Sequence, residues 1–428
     1  MALDAFDLSA GYAAARCEQC GECLRRCPVL RLPEADARRE MAALAGGQPS
    51  VVLERCTGCM GCNSYCPNGA NPHSLILERW HERYRAEGIP RRGALVLPYQ
   101  KPNLYTRVIE ALPPDERDMV AHWEANWRNP PDADTMVYAG CNSLIQPYLL
   151  DSRLFDEVPI FGSTDLCCGE PYYRMGCLDA ARSVALHVRD EFARMGMRRV
   201  ITPCLGGYHL FRAVYPEVFG VKLSVEVVSQ VDWILERMAA GELRFASLHK
   251  RAVLHDNCWP KASGDVQFDA TRELLTRLGV EVVEPAHTRE DALCCGMCAC
   301  AARFSLRDVV RAARQRLKEL DAADADMTID YCGGCNWLLG LVNRIGLSRA
   351  AEPIYHLSEV VQMALGEMPK HNMNRLSKTV MRVMAARLGA AYTARGRFWV
   401  KEILGEPVEE IGQASNEQEA REGALHGG

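Results

Sequence analysis

Four cysteines fall within seven positions in the stretch ALCCGMCAC (292–300), and two of them, Cys294 and Cys295, are neighbours. Adjacent cysteines reach disulfide geometry only with strain. A tetrahedral metal site draws its thiols from spaced pairs such as C-x2-C. The pair therefore asks for another chemistry. Two further clusters are more explicit. Cys17, Cys20, Cys23 and Cys27 read C-x2-C-x2-C-x3-C, with Pro28 after them. Cys56, Cys59, Cys62 and Cys66 repeat the run, with Pro67 after them. Zinc sites use two pairs with a long gap between them, not four cysteines in one short run.

Such a double run is the ligand pattern of bacterial two-cluster ferredoxins, in which the fourth cysteine reaches the neighbouring cube. By that rule Cys17, Cys20, Cys23 and Cys66 hold one cubane 4Fe–4S cluster. Cys27, Cys56, Cys59 and Cys62 hold the other. Between the runs, LPEADARREMAALAGG has helical spacing stopped by a glycine pair, and NPHSLILERWHERYRAEG reads as a second helix ending at Gly88. The module is expected to be mostly helical over residues 1–95.

Composition narrows the setting. The 428 residues are 48% apolar and 25% charged, with a net charge of −5, so the chain as a whole is not built to hold nucleic acid. Twenty cysteines without a visible secretory signal point to metal or redox chemistry in a reducing compartment. No stretch approaches the ~20 apolar residues that span a bilayer. The expected location is cytoplasmic, either soluble or peripheral on a membrane.

Past a proline-rich stretch read as a linker (96–133, with Pro130 and Pro131 at its end), the chain repeats itself. The first copy, 134–245, runs from DTMVYAGC, ending at Cys141, through Cys167 and Cys168 in DLCCGEPY, a helical run near 179–196, and RRVITPC, ending at Cys204. The second copy, 246–368, runs from RAVLHDNC, ending at Cys258, through Cys294 and Cys295, a helical run near 301–320, and DMTIDYC with Cys332 and Cys335. Short β-branched strands alternate with amphipathic helices, and strands end at cysteines. This predicts two pseudo-symmetric α/β units with parallel sheets and ligands at the strands' carboxyl ends.

Two copies of C…CCG…C-x2-C behind a double ferredoxin run resemble the fused, ferredoxin-bearing form of heterodisulfide reductase. They also resemble its CCG-domain relatives in membrane-associated electron-transfer complexes of sulfate reducers. The resemblance covers roughly residues 15–365. It implies a noncubane 4Fe–4S cluster on Cys258, Cys294, Cys295, Cys332 and Cys335. The first copy departs from the pattern, because Gly207 in CLGGY stands where the second copy has the last cysteine of CGGC. Its Cys141, Cys167, Cys168 and Cys204 leave three possibilities: a four-cysteine cluster, an empty structural site, or redox-active thiols. The degenerate copy is expected to form one wall of a cleft between the repeats, with room at Gly207.

Cys177 reads as a small buried residue. Cys298 and Cys300 read as buried thiols or as auxiliary groups. His255 and Asp256 read as a turn-forming pair or, for His255, as a proton donor. Residues 370–404 carry eight Lys or Arg and one Glu, with Met373, Leu376, Val380, Val383, Met384 and Leu388 on one helical face. Such a basic amphipathic segment suits an anionic membrane, a partner groove or its own domain. Residues 405–428 are expected to be disordered.

The resemblance implies an oxidoreductase that passes electrons through two cubanes to a noncubane cluster acting on a disulfide or trisulfide. Its implied partners are a small sulfur-carrier protein and a membrane quinone-reactive cytochrome b-type subunit. The alternative is a relay subunit of a flavin-dependent glycolate, lactate or glycerol-3-phosphate dehydrogenase. A third reading is a scaffold whose clusters only stabilise the fold.

Overall fold

A computed structural model describes residues 11–263, 266–297, 306–346, 353–368, 370–388 and 395–400. The N-terminal module is helical. The helix Glu34–Ala45 buries Ala37, Met41 and Leu44, the one-sided spacing read from the sequence. The helix Pro72–Glu87 has proline at its first turn, where no N–H is needed, and ends at Gly88. Beside these helices each cysteine run contains a short helix, Glu22–Arg25 in the first and Gly61–Tyr65 in the second.

Two four-stranded sheets follow. Strands β2 (Thr135–Tyr138), β3 (Ile160–Phe161), β4 (Arg199–Thr202) and β5 (Glu226–Ser229) lie in the order β3-β2-β4-β5, all parallel. Strands β6 (Lys250–His255), β7 (Val280–Val283), β8 (Met327–Asp330) and β9 (Ile354–His356) lie in the order β7-β6-β8-β9, also all parallel. The repeat in sequence is thus a repeat in topology. In each copy the two central strands are followed within three residues by a cysteine, so Cys141 and Cys204 share one strand edge, and Cys258 and Cys332 share the other. Hydrogen bonds join the copies: Gln146 Nε2 donates to Gly333 O at 3.0 Å, and Gln362 Nε2 to Tyr148 O at 2.8 Å.

One sequence expectation is corrected, and one reading left open is decided. Residues 96–133 are not a plain linker. They contain the helices Leu104–Glu110, with a capping box between Asn103 and Thr106, and Pro114–Arg128. Pro113 and Pro114 start the second helix rather than break the chain. Its buried Trp123 and Trp127 pack on the first repeat, where Trp127 Nε1 donates to Glu191 at 2.8 Å. The basic segment has its apolar face covered by its own chain. The helix Met373–Val383 buries Met373, Leu376, Val380 and Val383 against the helices Gly333–Arg344 and Leu104–Glu110. Gly340 makes that fit possible, since a Cβ there would lie 2.4 Å from Met373 Cγ. Further on, β10 (Arg397–Phe398) pairs antiparallel with β1 (Ile89–Pro90) of the module. The acidic tail 405–428 lies outside the described residues. Among the described residues no helix is long and apolar enough to cross a membrane.

Candidate iron–sulfur sites

Thiols of the two runs of the module stand close to one another. Burial, followed by Cys66, Cys17 and Cys20, pushes the Cys23 thiol up to about 12. Burial, followed by Cys59, pushes Cys27 up to about 11. Cys62 is raised by burial and then by Cys56, Cys23, Cys59 and Cys27. Buried thiols this close cannot all ionise unless a cationic centre stands among them. Backbone N–H groups already point at the sulfurs: Gly58 N donates to Cys56 Sγ and Ala70 N to Cys66 Sγ, both at 3.3 Å. Among the described residues no three His, Cys, Asp or Glu side chains gather tightly enough for a single metal ion. Thiolates of a four-iron cluster sit on separate irons, so they surround a wider space. The donor sets therefore fit iron–sulfur clusters rather than zinc.

The Cys-Cys-Gly signature has a backbone cause. Gly169 and Gly296 have φ of +80° and +89°, in the left-handed region where glycine carries no Cβ penalty. That turn aims the glycine N–H back at the first cysteine: Gly169 N to Cys167 Sγ at 3.4 Å, Gly296 N to Cys294 Sγ at 3.2 Å. The neighbouring thiols lie within hydrogen-bonding reach of each other, with a backbone donor already in place.

In the second repeat Cys258, Cys294, Cys295, Cys332 and Cys335 all come together at the strand ends. Cys335 Sγ lies 3.2 Å from Cys295 Sγ. Cys295 is held low by hydrogen bonds from Cys294 and Cys335, with His255 beside it, while Cys294 and Cys335 are pushed up by sharing protons with it. Cys258 is pushed up to about 12 by burial, which Arg174 opposes. Cys294 also stands near Cys59 of the module, so the second-repeat site and the second cysteine run adjoin.

His255 is fully buried at the end of β6. Arg316 Nε donates to its Nδ1 at 2.9 Å, so the neutral ring carries its proton on Nε2. Burial keeps the ring neutral. Asp256 is no proton donor. Arg272 grips it at 3.1 and 2.8 Å, Tyr331 Oη donates at 2.7 Å and Arg289 N at 2.8 Å, and the guanidinium holds its carboxyl below the usual range against the cost of burial. It is an anchor for the loops around the site.

The first repeat gathers Cys141, Cys167 and Cys168, with Cys167 raised first by its hydrogen bonds to the other two and then by burial. Cys204 is raised by burial and then by Cys332 of the second repeat, so the two sites adjoin. Gly207 is buried, and a Cβ there would lie 3.7 Å from the Tyr138 ring, 3.9 Å from Phe211 and 4.0 Å from Cys168 Sγ. A cavity of about 340 Å³ lies between the module and the second repeat, bordered by Val29, Thr57, Leu293, Cys294, Arg311 and Gln315. Thr57 Oγ1 is buried there with no hydrogen-bond partner. Cys177 is fully buried, as expected. Cys298 and Cys300 lie outside the described residues.

One residue was missed by the sequence reading. Arg174, from the first repeat, donates through Nη1 to Gly58 O at 2.7 Å and to Cys258 Sγ at 3.1 Å. No local pattern singled it out, since the second copy has Ala301 at the same offset from its Cys-Cys-Gly turn.

The chain matches a 4Fe–4S dicluster domain over residues 10–67 and a cysteine-rich (CCG) domain over 149–211 and again over 252–340. The second CCG match spans all five second-repeat cysteines. The D-type subunit of the dihydromethanophenazine:CoB–CoM heterodisulfide reductase of Methanosarcina mazei is 25% identical, over 74% of this chain and 86% of its own. The EtfAB:quinone oxidoreductase of Syntrophomonas wolfei is 22% identical, over 65% of this chain and 35% of its own. Lactate utilization protein A 1 of Bacillus mycoides is 22% identical, over 47% of this chain and 82% of its own. With the cysteine runs, the twin sheets and these matches together, the chain is an iron–sulfur oxidoreductase of the CCG-domain type, like the D-type subunit of heterodisulfide reductase.

Proposed function

We propose that the chain carries electrons from a partner through two cubane 4Fe–4S clusters to a noncubane 4Fe–4S cluster, where a disulfide or trisulfide is cleaved. The cubanes belong to Cys17, Cys20, Cys23 and Cys66, and to Cys27, Cys56, Cys59 and Cys62. The noncubane cluster belongs to Cys258, Cys294, Cys295, Cys332 and Cys335. The observation that carries this reading is the convergence of those five thiols beside the module, with a cavity reaching one of them, Cys294. A cluster at this place supplies one-electron chemistry and an iron site for sulfur. The chain's own groups do the rest. The cavity admits the substrate sulfur, and His255 keeps an N–H beside Cys295. Cleavage of a disulfide consumes two electrons and two protons and releases two thiols, or runs in reverse.

The substrate fitting this arrangement is a small sulfur-carrier protein whose tail bears the reactive cysteine. The electron source or sink is a membrane quinone-reactive cytochrome b-type subunit, which would hold the chain at the inner face of the cytoplasmic membrane. The similarity to a lactate utilization protein favours a second reading, an electron relay beside a flavoprotein dehydrogenase of glycolate, lactate or glycerol 3-phosphate. The two readings separate on sulfur binding. Adding a thiol, disulfide or trisulfide to the oxidised, anaerobic protein should perturb the paramagnetic signal of the second-repeat centre and leave the cubane signals unchanged. No response to any of the three, with the centre loaded, would give the function to the relay reading.

A further inference from the structure

We propose that Arg174, supplied by the first repeat, is an electrostatic bridge that draws electrons from the centre at Cys56 to the centre at Cys258. The proposal rests on the cluster assignments above but not on the identity of the substrate. Arg174 ends the short helix Glu170–Arg174, which starts directly at the Cys167-Cys168-Gly169 turn. Its side chain is only 4% exposed. Glu170 Oε1 takes its Nε at 2.7 Å, and the guanidinium carbon lies 4.4 Å over the Trp259 ring, so the head group is fixed from two sides.

The fixed head group spans two sites. Nη1 donates to Gly58 O at 2.7 Å and to Cys258 Sγ at 3.1 Å, while Gly58 N donates to Cys56 Sγ at 3.3 Å. A short chain of hydrogen bonds and one peptide residue thus joins a ligand of the second cubane to a ligand of the second-repeat cluster. An arginine stays protonated at any working pH, and in a buried place its charge is poorly screened. The nearby imidazoles of His73 and His209 are held neutral, by burial first and then by Arg174, so they do not compete as cations.

The charge acts unequally. Reduction adds negative charge to a cluster, and a cation hydrogen-bonded to a ligand sulfur favours the reduced form. Arg174 touches Cys258 sulfur directly but reaches the cubane only through a carbonyl. It therefore raises the potential of the Cys258 centre more than that of the cubane. One electron leaves the cubane, which is oxidised, and arrives at the Cys258 centre, which is reduced; no bond is made or broken. This also gives the degenerate repeat a task. Its Cys-Cys-Gly turn launches the helix that places the cation.

The experiment is a potentiometric titration of the anaerobic, cluster-loaded full chain, followed by paramagnetic resonance. Arg174→Gln should narrow the gap between the two midpoints by at least a tenfold change in the one-electron equilibrium constant, 59 mV. Arg174→Lys, which keeps the charge, should restore most of the gap. Glu170→Gln removes the counter-charge and should widen the gap, the opposite sign. If Arg174→Gln loses iron, Glu170→Gln and Arg174→Lys decide alone. Both midpoints moving together, or a gap unchanged in Arg174→Gln and Glu170→Gln, would overturn the proposal. A chain whose second repeat never loads iron would instead overturn the cluster assignment on which it stands.

Discussion

The two repeats share strand order, the Cys-Cys-Gly turn and its N–H to sulfur contact, yet they surround their cysteines with opposite chemistry. Three residues before the first cysteine of each site stands Tyr138 in one and His255 in the other. Tyr138 donates to Leu166 O and lies among Phe161, Phe192 and Phe211, with ring centroids 5.7, 6.0 and 5.3 Å away. His255 faces a buried arginine, Arg316, which also holds His287 O and pairs with Glu319. The first repeat spends its interior on apolar packing; the second maintains a buried polar network that keeps an N–H beside sulfur. Loss of the fifth thiol at Gly207 is thus one part of a wider change.

The sharpest way to break this contrast is to remove one thiol from each side. The loaded chain should hold about twelve irons, three clusters of four. Cys335→Ser should lower that to about eight, while Cys168→Ser should leave it unchanged, both read by iron-to-protein ratio. Equal losses would make the first repeat a cluster site as well. Gly207→Cys tests the same point from the other direction. Its Cβ meets only ordinary contacts, so the fold should hold. The aromatic wall should keep the iron count unchanged, and a gain of about four irons would reduce the whole contrast to a single thiol.

Next in size is the buried network. Arg316 is fully buried and donates to His255, His287 and Leu254. Arg316→Leu leaves buried acceptors and the Glu319 carboxylate without their cation, so it should cost about 3–5 kcal/mol. Denaturant unfolding of the apo chain would measure it. A cost under about 1 kcal/mol would mean that the network does not hold the second repeat together.

Much of this was legible in the sequence because cysteine spacing and strand endings are local. The two ferredoxin runs, the helices Glu34–Ala45 and Pro72–Glu87, and the cysteines that close the central strands all follow from patterns within a few residues. What was not legible depends on partners far away in sequence. Pro113 and Pro114 read equally as chain breakers or as a helix start, and only the pocket for Trp123 and Trp127 decides. The apolar face at Met373 was visible, but the hole that receives it is made by Gly340 in another helix. Arg174 carried no signal of its own in EPYYR, since its contacts, Gly58 and Cys258, lie 116 and 84 positions away. That Gly207 sits against Tyr138 and Phe211 depends on distant residues, which a motif alone does not reveal.

The smallest expected effect compares the helix starts that follow the last strand of each sheet. In the first repeat, Ser229 caps the helix Gln230–Ala239 and its hydroxyl accepts from Asp232 N at 3.0 Å. In the second, His356 caps the helix Leu357–Ala364, and Glu359 reaches back to His356 N at 2.9 Å. Glu359 is buried, and burial, only partly offset by that N–H, pushes its carboxyl up to about 7 from 4.5. The folded chain therefore holds this proton more tightly than the unfolded chain does. Its contribution to stability is fully present below about pH 4.5 and is lost as pH rises through about 7. Glu359→Gln keeps the shape and removes the ionisation. It should stabilise the chain by up to about 3 kcal/mol at pH 8 and by nothing measurable at pH 4.5, with thermal unfolding of the apo chain at the two pH values as the readout. An equal effect at both would show that the buried carboxyl stays ionised, held by the helix start as firmly as a surface cap.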